Sequence, residues 1–181
     1  VTAAPLTSSE PGAPVIGSER LVLRRLRVED APFILELLND PDWLRFIGDK
    51  GVKTLEDAQR YVLSGPIESY ARHGFGLFAV ERKPGGAPIG LCGLLKRDVL
   101  DDVDVGYAFL PEFRGRGYAR EAAVATLRLA KETIGLDRVA AITNPDNARS
   151  IRILEGLGFA FEKMVRLSED APEIRYYARA L

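Results

Sequence analysis

The 181-residue sequence predicts an α/β (α+β) fold, a mixed and mostly antiparallel central sheet with helices on both faces. Three observations carry this. The strand-like runs GFGLFAVE, IGLCGLLKR and DVDVGYAFL are separated only by the polar loops KPGGAP and DVLDD, so each returns antiparallel to the one before. A long helical stretch then divides DVDVGYAFL from LDRVAAIT, and a crossover of that length makes those two strands parallel. A closing pair, GFAFEKMVRL and IRYYARAL, flanks the polar turn SEDAPE.

Taken in order, residues 1–18 hold three prolines and two glycines and read as a flexible N-terminal arm. Residues 19–181 read as one domain. RLVLRRL is the first strand, with Leu21 and Leu23 on one face and Val22 and Leu26 on the other. A helix starts near Asp30, tolerates Pro32 in its first turn, buries Phe33, Ile34, Leu37 and Leu38, and stops at Asn39-Asp40-Pro41. DWLRFIGDKGVK has no period; its Trp43 and Phe46 either line a ligand groove or plug a gap between helices. Thr54 with Asp57 forms a reciprocal cap for a helix that buries Leu55, Ala58, Tyr61 and Val62 and breaks at Gly65-Pro66. A second piece runs to His73-Gly74, where His73 suits the negative end of a helix better than a catalytic role.

Gly90 and Gly93 in IGLCGLLKR signal a bulge or a close approach by another backbone. The long helix, about Tyr118 to Ile134, carries the apolar stripe Ala119, Ala123, Leu127, Ala130 and Ile134 and closes at Gly135. Asn147 caps a short helix whose anchors are Ile151 and Leu154.

Bulk properties exclude several function classes. The net charge of −1, from 25 basic and 26 acidic residues, gives no basic footprint for direct nucleic-acid binding. One cysteine and one histidine leave no metal site of the usual zinc type. Cys92, within IGLCGLL, reads as a buried thiol. No apolar run approaches the length of a membrane span, and the first residues lack the pattern of a signal peptide, so a cytoplasmic protein is expected.

The most informative stretch is PEFRGRGYAREA. Pro111 ends the preceding strand, and the glycines bare the backbone before a helix N-terminus, which together make an anion cradle. The same glycines would serve a tight turn packed on a neighbour. There is no GxGxxG of the dinucleotide type and no Walker lysine.

With ERLVLRRL, DVGYAFLPEFRGRGYAREA, NPDNARSIRILEGLGF and the closing tyrosine-rich strand in that order, the chain resembles the GCN5-related N-acetyltransferase (GNAT) superfamily. Within it the chain resembles the ribosomal-protein N-terminal acetyltransferase branch. The resemblance implies acetyl-CoA as donor, coenzyme A as product and an amine-bearing acceptor, peptide or small molecule; the apolar pattern gives no membrane partner, and a monomer or homodimer is expected. It implies a gap between the two parallel strands, splayed to admit the pantetheine arm along the backbone of Phe109 and Leu110. The pyrophosphate would meet Arg114, Gly115, Arg116, Gly117, Tyr118 and Ala119, with Asn144, Asn147 and Ser150 on the far side of the cofactor. For the chemistry it implies Asp104 as base or amine anchor, the amide near Leu110 as the carbonyl's polarising group, and Ser150 near the leaving sulfur. Ser150 is also readable as a second cap. The tyrosine many superfamily members use as acid is replaced here by Leu154. Trp43, Phe46 and Tyr70 are expected at the acceptor entrance, and Asp102 and Asp104, with Asp98 and Asp101, form an acidic approach to it. A non-catalytic acyl-CoA-binding module is the alternative.

Overall fold

The computed structural model describes Glu10 and residues 12–181. Strands β1 (Pro14–Gly17), β2 (Leu21–Arg25), β3 (Leu77–Arg82), β4 (Pro88–Leu95), β5 (Asp104–Phe109), β6 (Arg138–Thr143), β7 (Ala160–Val165) and β8 (Ile174–Ala180) make a single sheet. Its order is β1-β2-β3-β4-β5-β6-β8-β7. Every neighbouring pair is antiparallel except β5–β6, so the predicted topology holds.

The helices are α1 (Ala31–Leu38), α2 (Pro41–Phe46), α3 (Leu55–Val62), α4 (Glu68–His73), α5 (Tyr118–Leu129) and α6 (Ala148–Gly156). Two cores sandwich the sheet. One packs α5 and α6, through Ala122, Ala123, Leu127 and Leu154, on Leu21, Leu23, Cys92, Val105 and Tyr177. The other packs α1 to α3, through Phe33, Ile34, Leu37, Trp43, Ala58 and Val62, on Ala79 and Leu91. Two caps read from sequence are present: Thr54 and Asp57 bond reciprocally at α3, and the Asn147 side chain accepts from Ser150 N at 3.1 Å; Asp30 opens α1 without a side-chain cap, its carboxylate being taken by Arg24.

Four local expectations fail, each for a physical reason. Residues 14–17 of the expected arm form β1, because the edge of β2 offers ladder partners that their Pro/Gly-rich composition conceals; residues 1–9 and 11 lie outside the described residues. The aperiodic segment after Asn39 contains α2, started by Asp40, whose carboxylate accepts from the amides of Asp42 and Trp43, and by Pro41 in the first turn. Gly65-Pro66 does not break the chain's helical path: a wide turn over Leu63–Ile67 joins α3 to α4. Leu55 is 51% exposed, since it opens α3 on the outer face. The expected close approach at Gly93 is real: a Cβ there would lie 2.1 Å from the Gly76 carbonyl oxygen.

Candidate active site

Strand β5 has two unlike edges. Towards β4 it is paired from Asp104 to Phe109, and the Leu110 amide extends the ladder to the Ile89 carbonyl at 3.0 Å. Towards β6 there is one register pair, Asp104 with Ala140, secured by the Ala140 amide on the Val103 carbonyl at 2.9 Å. Beyond it β6 turns its ladder wholly to β8. The backbone groups of a strand alternate between its edges. Those of Tyr107 and Phe109 therefore face the widening gap, while those of Gly106, Ala108 and Leu110 face β4.

At the open end of the gap stands the glycine-rich loop. Gly115 (φ +74°) and Gly117 (φ +81°) are left-handed, a conformation that strains any residue with a Cβ. Gly117 is the N-cap of the twelve-residue α5 and no side chain caps that helix. Among the described residues, no bond takes up the amides of Gly115, Arg116, Gly117, Tyr118 or Ala119. Those of Phe113 and Arg114 are satisfied internally, by the carbonyls of Leu110 and Pro111 at 3.0 and 3.2 Å. A run of free N–H groups at the positive end of a helix dipole suits a diphosphate.

Arg114 departs from expectation. Its amide is bonded, and its guanidinium is turned inward onto the Phe109 carbonyl (2.8 Å), Asp42 (2.9 Å) and Asp40. It fastens the loop and leaves the anion to the amides beyond it. Asp42 also meets Arg149 of α6 at 3.5 Å, so α2 ties the two sides of the gap together. Leu110 departs too, because its amide is spent on Ile89 and cannot polarise a carbonyl in the gap. The amides that period-two alternation turns towards the gap are those of Tyr107 and Phe109.

On the α5/α6 face of the gap, the Tyr107 and Ser150 hydroxyls are 3.1 Å apart, and the Tyr107 hydroxyl lies 3.4 Å from the Ser150 carbonyl. Burial pushes the Tyr107 phenol up to about 12, against the Ser150 hydrogen bond, so it is neutral throughout the physiological range. Ser150 is therefore more than a cap residue: its amide serves the Asn147 cap and its hydroxyl meets Tyr107. Thr143, at the end of β6, shares a face with Val139 and Ala141 by alternation, and its buried hydroxyl has no partner. Neither Tyr107 nor Thr143 was named from the sequence as a site residue; for Thr143 a lone hydroxyl in an apolar strand was the only signal. Asn144 and Asn147 turn their side-chain oxygens to the amides of Asp146 and Ser150, shaping the β6–α6 turn.

Asp104 is 1% exposed and accepts from Arg97 Nε at 2.9 Å. Burial raises its pKa above the ordinary carboxylate value and outweighs the lowering by Arg97. A carboxylate so enclosed and occupied cannot meet an incoming amine directly. Asp102 is bonded to Arg138 (2.9 Å) and the Tyr176 hydroxyl (2.5 Å), so the two inner acids of the expected approach are neutralised by arginines. Tyr70 is a core residue, stacked on Phe78 with its hydroxyl between the Leu26 amide and the Leu77 carbonyl. Trp43 is likewise buried, in the α1–α3 core, with an unpartnered indole N–H. Of the three expected entrance aromatics only Phe46 is partly open. A groove of ≈ 690 Å³ opens beside the β3–β4 hairpin, over Phe33, Ile89 and Leu110, but no residue from Arg114 to Ala119 lines it.

A mostly antiparallel sheet with one splayed parallel pair, and a helix N-terminus with free amides at the mouth of the splay, is the arrangement that the acetyltransferase resemblance implies. Residues 20–160 match the acetyltransferase (GNAT) domain family, and the chain belongs to that family. The N-acetyltransferase YnaD of Bacillus subtilis is 26% identical over 167 residues, covering 90% of this chain and 95% of that protein. A GNAT-family acetyltransferase structure from Bacillus anthracis superposes with a TM-score of 0.75 at 26% identity, over 91% of this chain and 97% of its own. The ribosomal-protein-S5-alanine acetyltransferase of Vibrio fischeri shares the fold, with a TM-score of 0.74 at 20% identity over 91% and 94% of the two chains. Among the described residues no helix is long and apolar enough to cross a membrane, and no cluster of side chains suits a metal ion.

Proposed function

We propose that the chain transfers an acetyl group from acetyl-CoA to a primary amine, on a peptide N-terminus or a small molecule. The observation that carries this is the run of uncommitted amides from Gly115 to Ala119 at the mouth of the β5–β6 gap. Those amides hold the diphosphate, and the α5 dipole adds to their field. The Tyr107 and Phe109 amides lie along the gap; they orient the donor's arm and polarise the acyl carbonyl, with little reorganisation because a ladder fixes them. The donor supplies an activated thioester whose thiolate leaves readily. In the transfer a C–N bond forms, the C–S bond breaks, and the amine's proton ends on the thiol or in solvent.

Ser150 donates its hydroxyl hydrogen towards the leaving sulfur, and Tyr107 holds that hydroxyl in place. Leu154 is buried where the family's usual tyrosine would stand and cannot donate a proton, which leaves the Tyr107–Ser150 hydroxyl pair for this part. Asp104 works electrostatically through Arg97 and takes no proton from the amine itself.

Calorimetric titration with coenzyme A, ATP and NAD tests the cofactor: a clear preference for coenzyme A is expected, and equal binding of all three would overturn the reading. Thiol release from acetyl-CoA across a panel of peptides and small amines tests the chemistry. Binding without release from any of them would favour a non-catalytic acyl-CoA module.

A further inference from the structure

The anion cradle has a flaw that the chain corrects from a distance. Glu121 lies in the first turn of α5, directly behind the free amides. A carboxylate there favours an empty helix N-terminus but repels an incoming anion. In this chain it is heavily occupied. The Ser18 hydroxyl donates to its Oε1 at 2.6 Å, the Arg20 amide to the same oxygen at 2.8 Å, and Arg20 Nε to Oε2 at 2.7 Å. These partners come from the β1–β2 turn, a hundred residues away in sequence. Burial would raise the pKa of Glu121, but the bonds from Ser18 and Arg20 more than offset it, and the group is held below the usual range and charged.

Arg20 also touches the loop itself. Its Nη1 donates to the Arg116 carbonyl at 3.1 Å, and its guanidinium carbon sits 4.6 Å from the centre of the Tyr118 ring. A Cβ on Gly117 would come within 3.4 Å of Nη2. The guanidinium thus lies between the carboxylate and the loop whose amides face outward. Turning the Arg116 carbonyl onto Arg20 also keeps that oxygen, a further negative pole, engaged.

We propose that Arg20 is a positioning residue of the diphosphate site, which fits the loop for an anion by cancelling the Glu121 carboxylate. This rests on reading the loop as the cofactor's diphosphate cradle. Arg20 need not touch the cofactor: its fork is committed to Glu121 and Arg116. Ser18 completes the arrangement with its own hydroxyl on the Leu21 amide at 3.1 Å acting as the turn's acceptor, so the β1–β2 turn and the loop form one unit.

The test is calorimetric titration of the free protein with coenzyme A and, separately, with pantetheine, which lacks the diphosphate and nucleotide. Arg20→Ala and Arg20→Gln should each weaken coenzyme A roughly tenfold at low salt, less at high salt where charge is screened, and leave pantetheine unchanged. Gln keeps a donor for Glu121 without a charge, which guards against a folding defect in the Ala variant. In the double variant Arg20→Ala/Glu121→Gln, coenzyme A affinity should recover most of the loss. Unchanged coenzyme A binding in both single variants overturns the inference, as does a double variant as weak as the single one. Equal losses for coenzyme A and pantetheine also overturn it, since the effect would then not act on the diphosphate. If the unaltered protein itself binds coenzyme A no better than pantetheine, it is the diphosphate reading of the loop that fails. Wild-type preference with an unaffected Arg20→Ala variant removes Arg20 alone.

Discussion

The two edges of β5 do opposite things with the same kind of backbone. Towards β4 the hydrogen bonds are complete through Leu110, and the packing leaves no spare volume at Gly90, Gly93 or Gly106, where a Cβ would meet atoms at 2.5, 2.1 and 2.8 Å. Towards β6 one pair closes the strand, Arg114 takes the Phe109 carbonyl, and the remaining amides of that edge are left open. The closed edge stores stability, and the open edge stores unused donors. A sheet that spent every backbone group on itself would have nowhere to hold an extended ligand; this one confines the vacancy to one edge and joins the two walls elsewhere, through Asp42 to Arg114 and Arg149.

That contrast is broken most severely at Gly93. In Gly93→Ala the new methyl group would collide with the Gly76 carbonyl and the Leu77 Cα, backbone atoms that cannot rotate away. We expect a loss of about 3 kcal/mol in urea unfolding. Coenzyme A binding by the fraction that remains folded should be nearly normal, because the damage lies on the other edge. A variant of full stability would show that the sheet is not packed as described.

The same contrast explains what was legible in the sequence. Strand directions, the crossover helix and the caps at Thr54 and Asn147 follow from loop length, apolar period and local hydrogen bonding, all of which are properties of neighbouring residues. The glycine loop was legible too, because left-handed φ values at Gly115 and Gly117 and free amides need small residues in sequence. Side-chain partnerships across the fold were not. Nothing local in DVDVGYAF says that Arg97 will cover Asp104, that Tyr107 will reach Ser150, or that Arg20 will come to Glu121. Tyr70 was misplaced, and the choice between groove and plug at Trp43 was undecidable, for the same reason: an aromatic beside a turn looks alike in sequence whether the fold covers it or not. Leu110 failed by one residue, since a strand's alternation is fixed only once its partner's register is known.

The open edge predicts a smaller loss in rate. Tyr107→Phe removes the hydroxyl that orients Ser150 at a stability cost of about 1 kcal/mol. Acetyl transfer at saturating amine should fall roughly tenfold, less than for a directly placed acid, because a thiolate leaves without much help. Coenzyme A affinity should change little. Ser150→Ala should lower the rate to the same level, and the double variant no further; additive losses would separate the two hydroxyls.

Asp104 gives a pH dependence that belongs to the closed end of the gap. Its folded pKa is raised by burial, so the protonated carboxyl's contribution is fully present below the unfolded pKa and is lost as pH rises through the folded one. Asp104→Asn removes that dependence. Relative to the wild type, the variant should therefore gain stability as pH rises above the ordinary carboxylate range in matched urea titrations. The opposite slope would mean that Arg97 overrides burial and depresses the carboxylate. If, as proposed, the carboxylate does not take the amine's proton, acetylation rates of Asp104→Asn should keep the wild-type dependence on amine protonation.

The smallest effect tests the vacancy itself. Among the described residues the buried Thr143 hydroxyl at the splayed end of β6 has no partner, and an unsatisfied buried polar group costs stability until something bonds it. Thr143→Val is nearly isosteric and relieves that cost. The ligand-free protein should be more stable by up to about 1 kcal/mol, the reverse of what a core substitution ordinarily does. If the hydroxyl serves the proposed ligand, the gain should shrink or change sign in the presence of saturating coenzyme A. Thermal melts of both proteins, with and without coenzyme A, read out the difference of differences, which is free of any error common to the two variants. Equal shifts with and without coenzyme A would place Thr143 outside the ligand's reach and confine the working part of the open edge to the amides of β5 and the loop.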